Sequence, residues 1–218
     1  MTKIFKDKLT KEEISEMDRV LFDGQIVVID NIPDAYKAIS YLKRQSILGI
    51  DTETRPSFRR GQVHLVALLQ VSTHNTAFLF RLNRIGMPPS LIRLLEDTTI
   101  KKVGLSLHDD LMMLKKRHDF TPGSYIELQN EVKELGIADK SLQKLYANLY
   151  GKKISKSQQL SNWEADVLSE AQMQYAATDA WACIKIYEKI LELKRSGEYT
   201  LEKEPVQTSA NTEEEDNL

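Results

Sequence analysis

A chain of 218 residues, 41% hydrophobic and 28% charged, has the make-up of one globular domain; its longest apolar run, residues 63–71, is broken by His64 and Gln70 and cannot span a membrane. The lone Cys183 excludes an internal disulfide and a thiolate zinc cluster, and MTKIFKDKLTKEE at the N-terminus lacks an apolar signal core, so a cytoplasmic location is expected. The net charge of −2 is unevenly spread: from Gly197 onward seven acids face Lys203, a net −6, which leaves +4 on the first 196 residues and permits phosphate contacts without demanding them.

The charged residues 1–24 read as an N-terminal arm with a short helix. Residues 25–30 (QIVVID) form a strand, and 33–44 a helix with Ala35, Ile39 and Leu42 on one face. Residues 47–53 are an apolar strand that runs straight into two acids. Residues 63–72 and 76–80 are strands joined through a short His74-Asn75 turn, the pattern of a hairpin. A helix over 88–97, a strand over 101–105, a helix over 110–117 and a short strand over 125–128 follow. Helices over 141–150 and 170–194 close the domain, and 197–218 read as an acidic, disordered tail. Three strands in a run, then alternating helices and strands, predict an α/β domain over 25–196 with helices on the faces of a mixed sheet. Neither a Walker A loop nor GxGxxG is present, so no nucleotide cofactor is expected.

Asp51 and Glu53 are two apart on a strand, so both carboxylates point to one face a few ångströms apart. Like charges held so closely repel unless a cation lies between them, and hard oxygen ligands suit magnesium or manganese. The alternative is a strand end running out into solvent, where paired acids cost little. On the long helix, Tyr175, Asp179, Ala182, Cys183, Ile186 and Ile190 share one face. Asp179 therefore interrupts an apolar stripe, and a buried carboxylate must be paired, protonated or metal-bound. A salt bridge to an arginine would also satisfy it. In KKVGLSLHDDLMMLKK, Leu107, Leu111 and Leu114 mark the buried stripe; Asp110 lies at its edge and Asp109 nearly opposite. Asp110 is the better candidate to face the sheet, Asp109 suits capping or solvent, and His108 reads as a polar neighbour.

In order, the acids read Asp51-x-Glu53, Asp110, then Tyr175-x-x-x-Asp179. Carried by ILGIDTET, KKVGLSLHDDLMML and QYAATDAWACIKIY, with SLQKLYANLYGKKISKSQQLSNWE before the last, this pattern resembles the DEDD superfamily of 3′–5′ exonucleases. The tyrosine places the likeness in the subgroup of ribonuclease D-like and Werner-type exonuclease domains, over roughly residues 25–194. The resemblance implies an RNase H-like (DnaQ-like) fold with a mixed sheet of about five to six strands. It also implies a two-metal phosphodiester hydrolase with magnesium or manganese that releases nucleoside 5′-monophosphates from the 3′ end of single-stranded DNA or RNA. Mapped onto this chain, Asp51, Glu53 and Asp179 would hold one ion, Asp51 and Asp110 the second, and Tyr175 would orient the attacking water. Asp109 beside Asp110 leaves the second motif's register open by one residue. A catalytically silent binding or scaffold domain of the same fold competes with this reading, but such a domain would ordinarily have lost one of the five residues.

Basic residues flanking the acids are candidates for backbone phosphates: Arg55, Arg59 and Arg60 after the first motif, and Lys152, Lys153 and Lys156 before the last helix. Leu65 and Leu68 could wedge a terminal base, although core packing accounts for them better, as it does for Trp163 and Trp181.

Overall fold

The computed structural model describes residues 3–59 and 61–203. Its elements in chain order are β1 (Lys3–Lys6), α1 (Lys11–Ser15), β2 (Gln25–Ile29), α2 (Ile32–Leu42), β3 (Ile47–Thr54), β4 (Val66–Ser72) and β5 (Thr76–Arg81). Then come α3 (Leu82–Ile85), α4 (Pro89–Glu96), β6 (Lys101–Gly104), α5 (Leu107–Lys115), β7 (Tyr125–Glu127), α6 (Leu128–Lys133), α7 (Leu142–Tyr150), α8 (Glu170–Ser196) and β8 (Tyr199–Glu202). Among the described residues, no helix is long and apolar enough to cross a membrane.

A six-stranded mixed sheet in the order β2-β5-β4-β3-β6-β7 forms the centre. Strands β3, β4 and β5 are neighbours in sequence and pair antiparallel, as short connections require. Helical crossovers let β6 join β3, and β7 join β6, in parallel. Alternation along the strands sorts the side chains. Leu48 and Ile50 of β3, with Leu69 and Val71 of β4, pack with Leu42 of α2 and Leu91 and Leu94 of α4. The opposite face lies under α8, whose Ile186 and Ile190 share a second core with Val103 and with Leu145 of α7.

Helix α8 sets the site, and its sequence explains its length. Ser169 caps the first turn and forms a reciprocal capping box with Gln172, while Gly197 ends the helix in the left-handed region at φ 65°. Ala176, Ala177, Ala180 and Ala182 are fully buried, so the helix backbone lies close against the sheet. The closest approach is at Gly49, where a Cβ would stand 1.9 Å from the carbonyl oxygen of Ala180. Gly49→Ala should therefore push α8 from β3, lowering stability by roughly 1–3 kcal/mol; a shift in the urea midpoint checks this, and an unchanged midpoint would contradict it.

Beyond shifts of a residue or two, the structure adds the short helices α3 and α6, which the sequence pattern does not predict, and departs in three further places. Residues 63–65 precede β4 rather than extending it, and Val63 is exposed. Helix α5 starts at Leu107, ahead of residue 110, because its first turn is capped from a distance: the Glu127 carboxylate accepts from the backbone N–H of Ser106 (3.0 Å) and of Leu107 (2.7 Å). Finally, the expected arm and the start of the expected tail are folded together: β1 and β8 form a parallel two-stranded sheet, with Phe5, Leu9 and Phe22 buried. The remaining tail, residues 204–218, lies outside the described residues, as does Arg60.

Candidate active site

Three carboxylates meet where β3 passes beneath α8. Gly49, Asp51 and Glu53 alternate onto the α8 face of the strand. From the helix, Tyr175, Asp179 and Cys183 descend at four-residue spacing along one side. Oxygens of Asp51, Glu53 and Asp179 all lie within 4.8 Å of one another. Glu53 is 9% exposed, Asp179 3% and Tyr175 5%, so the cluster is drawn largely out of water. The Asp179 Oδ1 atom is buried without a hydrogen-bond partner, and among the described residues no arginine or lysine bridges it. The salt-bridge alternative for Asp179 is thus not realised.

Burial and mutual repulsion make this cluster hard to ionise. Burial first, then the charges of Asp110, Asp179 and Glu53, push Asp51 well above the usual carboxylate range. Glu53 is pushed up to about 9 by burial and then by Asp179 and Asp110. Burial raises Asp179 to about 7, partly offset by a hydrogen bond from Tyr175. The Tyr175 hydroxyl is itself driven up by burial and the neighbouring acids, so it stays protonated and able to donate. Its ring packs on Trp163 at 5.9 Å between centroids. The loop carrying Trp163 is in turn held by Arg81, which donates to the carbonyls of Ala165 and Asp166.

Asp110 stands on α5 beside this group. Its carboxylate accepts a hydrogen bond from the Thr52 hydroxyl, between the two acids of β3, and burial raises it to about 6. Asp109 and His108 are exposed. A cleft of about 370 Å³ opens over the cluster, lined by Asp51, Thr52, Glu53, Tyr175 and Asp179. Lys140, Ser141, Gln143, Lys156 and Gln159 line it as well.

Of the basic residues expected to contact phosphate, Lys156 alone among the described ones lines this cleft. Arg55 and Arg59 line a neighbouring one, where Arg55 pairs with Glu164 at 3.3 Å. Lys153 instead ties down the N-terminal segment, donating to the Ser15 carbonyl, and the exposed Lys152 is not at the cleft. Leu68 is fully buried core, whereas Leu65 is 39% exposed. Trp163 is core and Trp181 partly buried. Lys140 and Thr52 did not stand out in the sequence. The only sequence signal for Lys140 is its place just before Ser141, the N-cap of α7.

A family model described as 3′–5′ exonuclease matches residues 26–194. The bifunctional 3′–5′ exonuclease/ATP-dependent helicase WRN of Mus musculus is 33% identical over 150 residues, covering 66% of this chain and 11% of that protein. A 3′–5′ exonuclease of Arabidopsis thaliana is 33% identical over 154 residues, 68% of this chain and 54% of its own. Among solved structures, the Aedes aegypti Nibbler EXO domain superposes with a TM-score of 0.72 at 23% identity, over 78% of this chain and 89% of that domain. That likeness is one of fold, an RNase H-like mixed sheet with flanking helices. The chain spans about half or less of the length of these two curated relatives.

Proposed function

Because this chain belongs to the 3′–5′ exonuclease family of the DEDD superfamily, we propose that it shortens single-stranded DNA or RNA from the 3′ end, releasing nucleoside 5′-monophosphates. The observation that carries this reading is the meeting of Asp51, Glu53 and Asp179 within 4.8 Å in the lining of a cleft, without a cationic side-chain partner among the described residues.

The donor set fits a divalent ion. It is all carboxylate oxygen, and the unpartnered Asp179 Oδ1 is a ligand atom waiting for a cation. Asp51, Glu53 and Asp179 would hold one Mg²⁺ or Mn²⁺, and Asp51 with Asp110 a second. Divalent ions held there would supply positive charge at the scissile phosphate and lower the pKa of a bound water. Tyr175, whose hydroxyl stays protonated, would donate a hydrogen bond that orients the attacking water. Thr52 holds the Asp110 carboxylate in place from the strand. Lys140 and Lys156, which line the same cleft, attract the phosphate backbone into an otherwise anionic site. At about 370 Å³ the cleft has the size of a single small-ligand site, which suits one terminal nucleotide rather than a duplex.

A 5′-labelled single strand incubated with Mg²⁺ or Mn²⁺ tests the proposal. A ladder of products shortened one nucleotide at a time is expected, abolished by EDTA. No ladder with either metal on either DNA or RNA overturns the enzymatic reading.

A further inference from the structure

The catalytic cleft is lined by stretches far apart in the chain, and one side chain outside its lining joins two of them. Gln129, the second residue of α6, uses both protons of its amide nitrogen. Its Nε2 atom donates to the Ser106 hydroxyl at 3.1 Å and to the Lys140 carbonyl at 3.1 Å. Ser106 and Lys140 both line the cleft, the first where β6 gives way to α5, the second just ahead of α7. The Ser106 end is firmly set. Its backbone N–H and that of Gln129 share one Glu127 oxygen, at 3.0 and 3.1 Å, and its backbone lies in the left-handed region at φ 60°. A residue other than glycine keeps that conformation where its surroundings fix it. At the other end, the neighbours of Lys140 are tied elsewhere. Asp139 accepts from the Leu9 N–H at 2.9 Å and pairs with Lys144 at 3.2 Å, while Ser141 caps α7. Lys140 itself is exposed, and its carbonyl is the atom that Gln129 grips.

We propose that Gln129 is a positioning residue for the strand: by bridging Ser106 to Lys140 it fixes the Lys140 backbone at the cleft, so that the ammonium group meets a backbone phosphate. The assignment rests on the reading of Lys140 as a phosphate contact. A lysine charge sits on a flexible four-carbon stem, so it is delivered to one place when the backbone beneath it is held. Gln129 does this from outside the cleft lining. Its amide is neutral and adds nothing to the charge that a polyanion neutralises. An effect of Gln129 on salt-dependent binding must therefore pass through a charged neighbour.

A double-mutant cycle on the full chain in EDTA tests this, read by the fluorescence anisotropy of a 5′-fluorescein dodecanucleotide at several salt concentrations. Lys140→Ala should weaken binding about fivefold and lower the slope of log affinity against log salt by about 1. Gln129→Met keeps the length of the side chain, removes the donor, and should reproduce most of both changes. The double variant should bind no more weakly than Lys140→Ala alone, because two residues acting as one unit are not additive. Gln129 is half-buried outside the core, so Gln129→Met should keep the wild-type melting temperature. Wild-type affinity in Gln129→Met, losses that add in the double variant, or weaker binding with an unchanged salt slope would each overturn the proposal. So would wild-type affinity in Lys140→Ala, or no oligonucleotide binding at all. Non-additive losses in a chain that yields no ladder with metal would sink the exonuclease reading and leave the brace standing. Digestion by a chain whose losses add would do the reverse.

Discussion

Replacing Asp179 with asparagine is expected to stabilise the metal-free protein while abolishing strand shortening. Asp179 is 3% exposed, and one of its oxygens has no partner. Its acid is held at about 7 in the fold, against 3.8 for a free side chain. The folded state therefore keeps a proton that the unfolded chain gives up. Stability is fully retained below about pH 4 and falls as pH rises from about 4 to about 7, with Glu53 extending the loss toward about 9. Asparagine carries no charge to bury and can donate to the neighbouring carboxylates, so the variant should gain on the order of 1–3 kcal/mol at pH 8. At pH 4 the gain should vanish. Mn²⁺ should raise the melting temperature of the wild type at pH 8 and leave the variant nearly unmoved, because ligand binding to the folded state is what stabilises. The loss of a ligand that positions charge on the phosphate should lower kcat about a thousandfold or more. Thermal melts at the two pH values, with and without Mn²⁺, check the stability claim. A variant less stable than wild type at pH 8 without metal would show that the carboxylate is satisfied rather than strained.

Tyr175→Phe should separate chemistry from metal binding. The ring is buried against Trp163 and its hydroxyl is kept protonated by burial and the nearby acids. Phenylalanine preserves that packing and removes only the donor. Turnover should fall about 100-fold, the lower end of the range for a positioned proton-handling group, with KM little changed. The melting shift produced by Mn²⁺ should stay that of the wild type. If the shift disappears along with activity, Tyr175 supports the metal ligands rather than the water.

Much of this site could be read from residue order because its two main carriers are regular elements. Alternation along 47–53 places Asp51 and Glu53 on one face, and 3.6-residue phasing puts Asp179 below Tyr175; the structure sets them together on facing elements. The same phasing favoured Asp110 over Asp109, and in the structure Asp110 faces Thr52 while Asp109 is exposed. What escaped depends on distant partners. The early start of α5 rests on Glu127, some twenty residues further along. The pairing of β1 with β8 joins Lys3 to Tyr199, and charge along both segments hides it. Phosphate candidates were the least legible. A loop lysine shows no periodicity, so Lys153, which binds the Ser15 carbonyl, looked the same as Lys156 in the cleft.

On the proposed reading, the carboxylates of β3, α5 and α8 hold the divalent ions on which strand cleavage depends. Anomalous diffraction from crystals of this chain grown with Mn²⁺ tests it most directly. One anomalous peak bounded by Asp51, Glu53 and Asp179 is expected, and a second between Asp51 and Asp110 when a strand end is bound. Saturating Mn²⁺ that gives no peak against any of these carboxylates would contradict it.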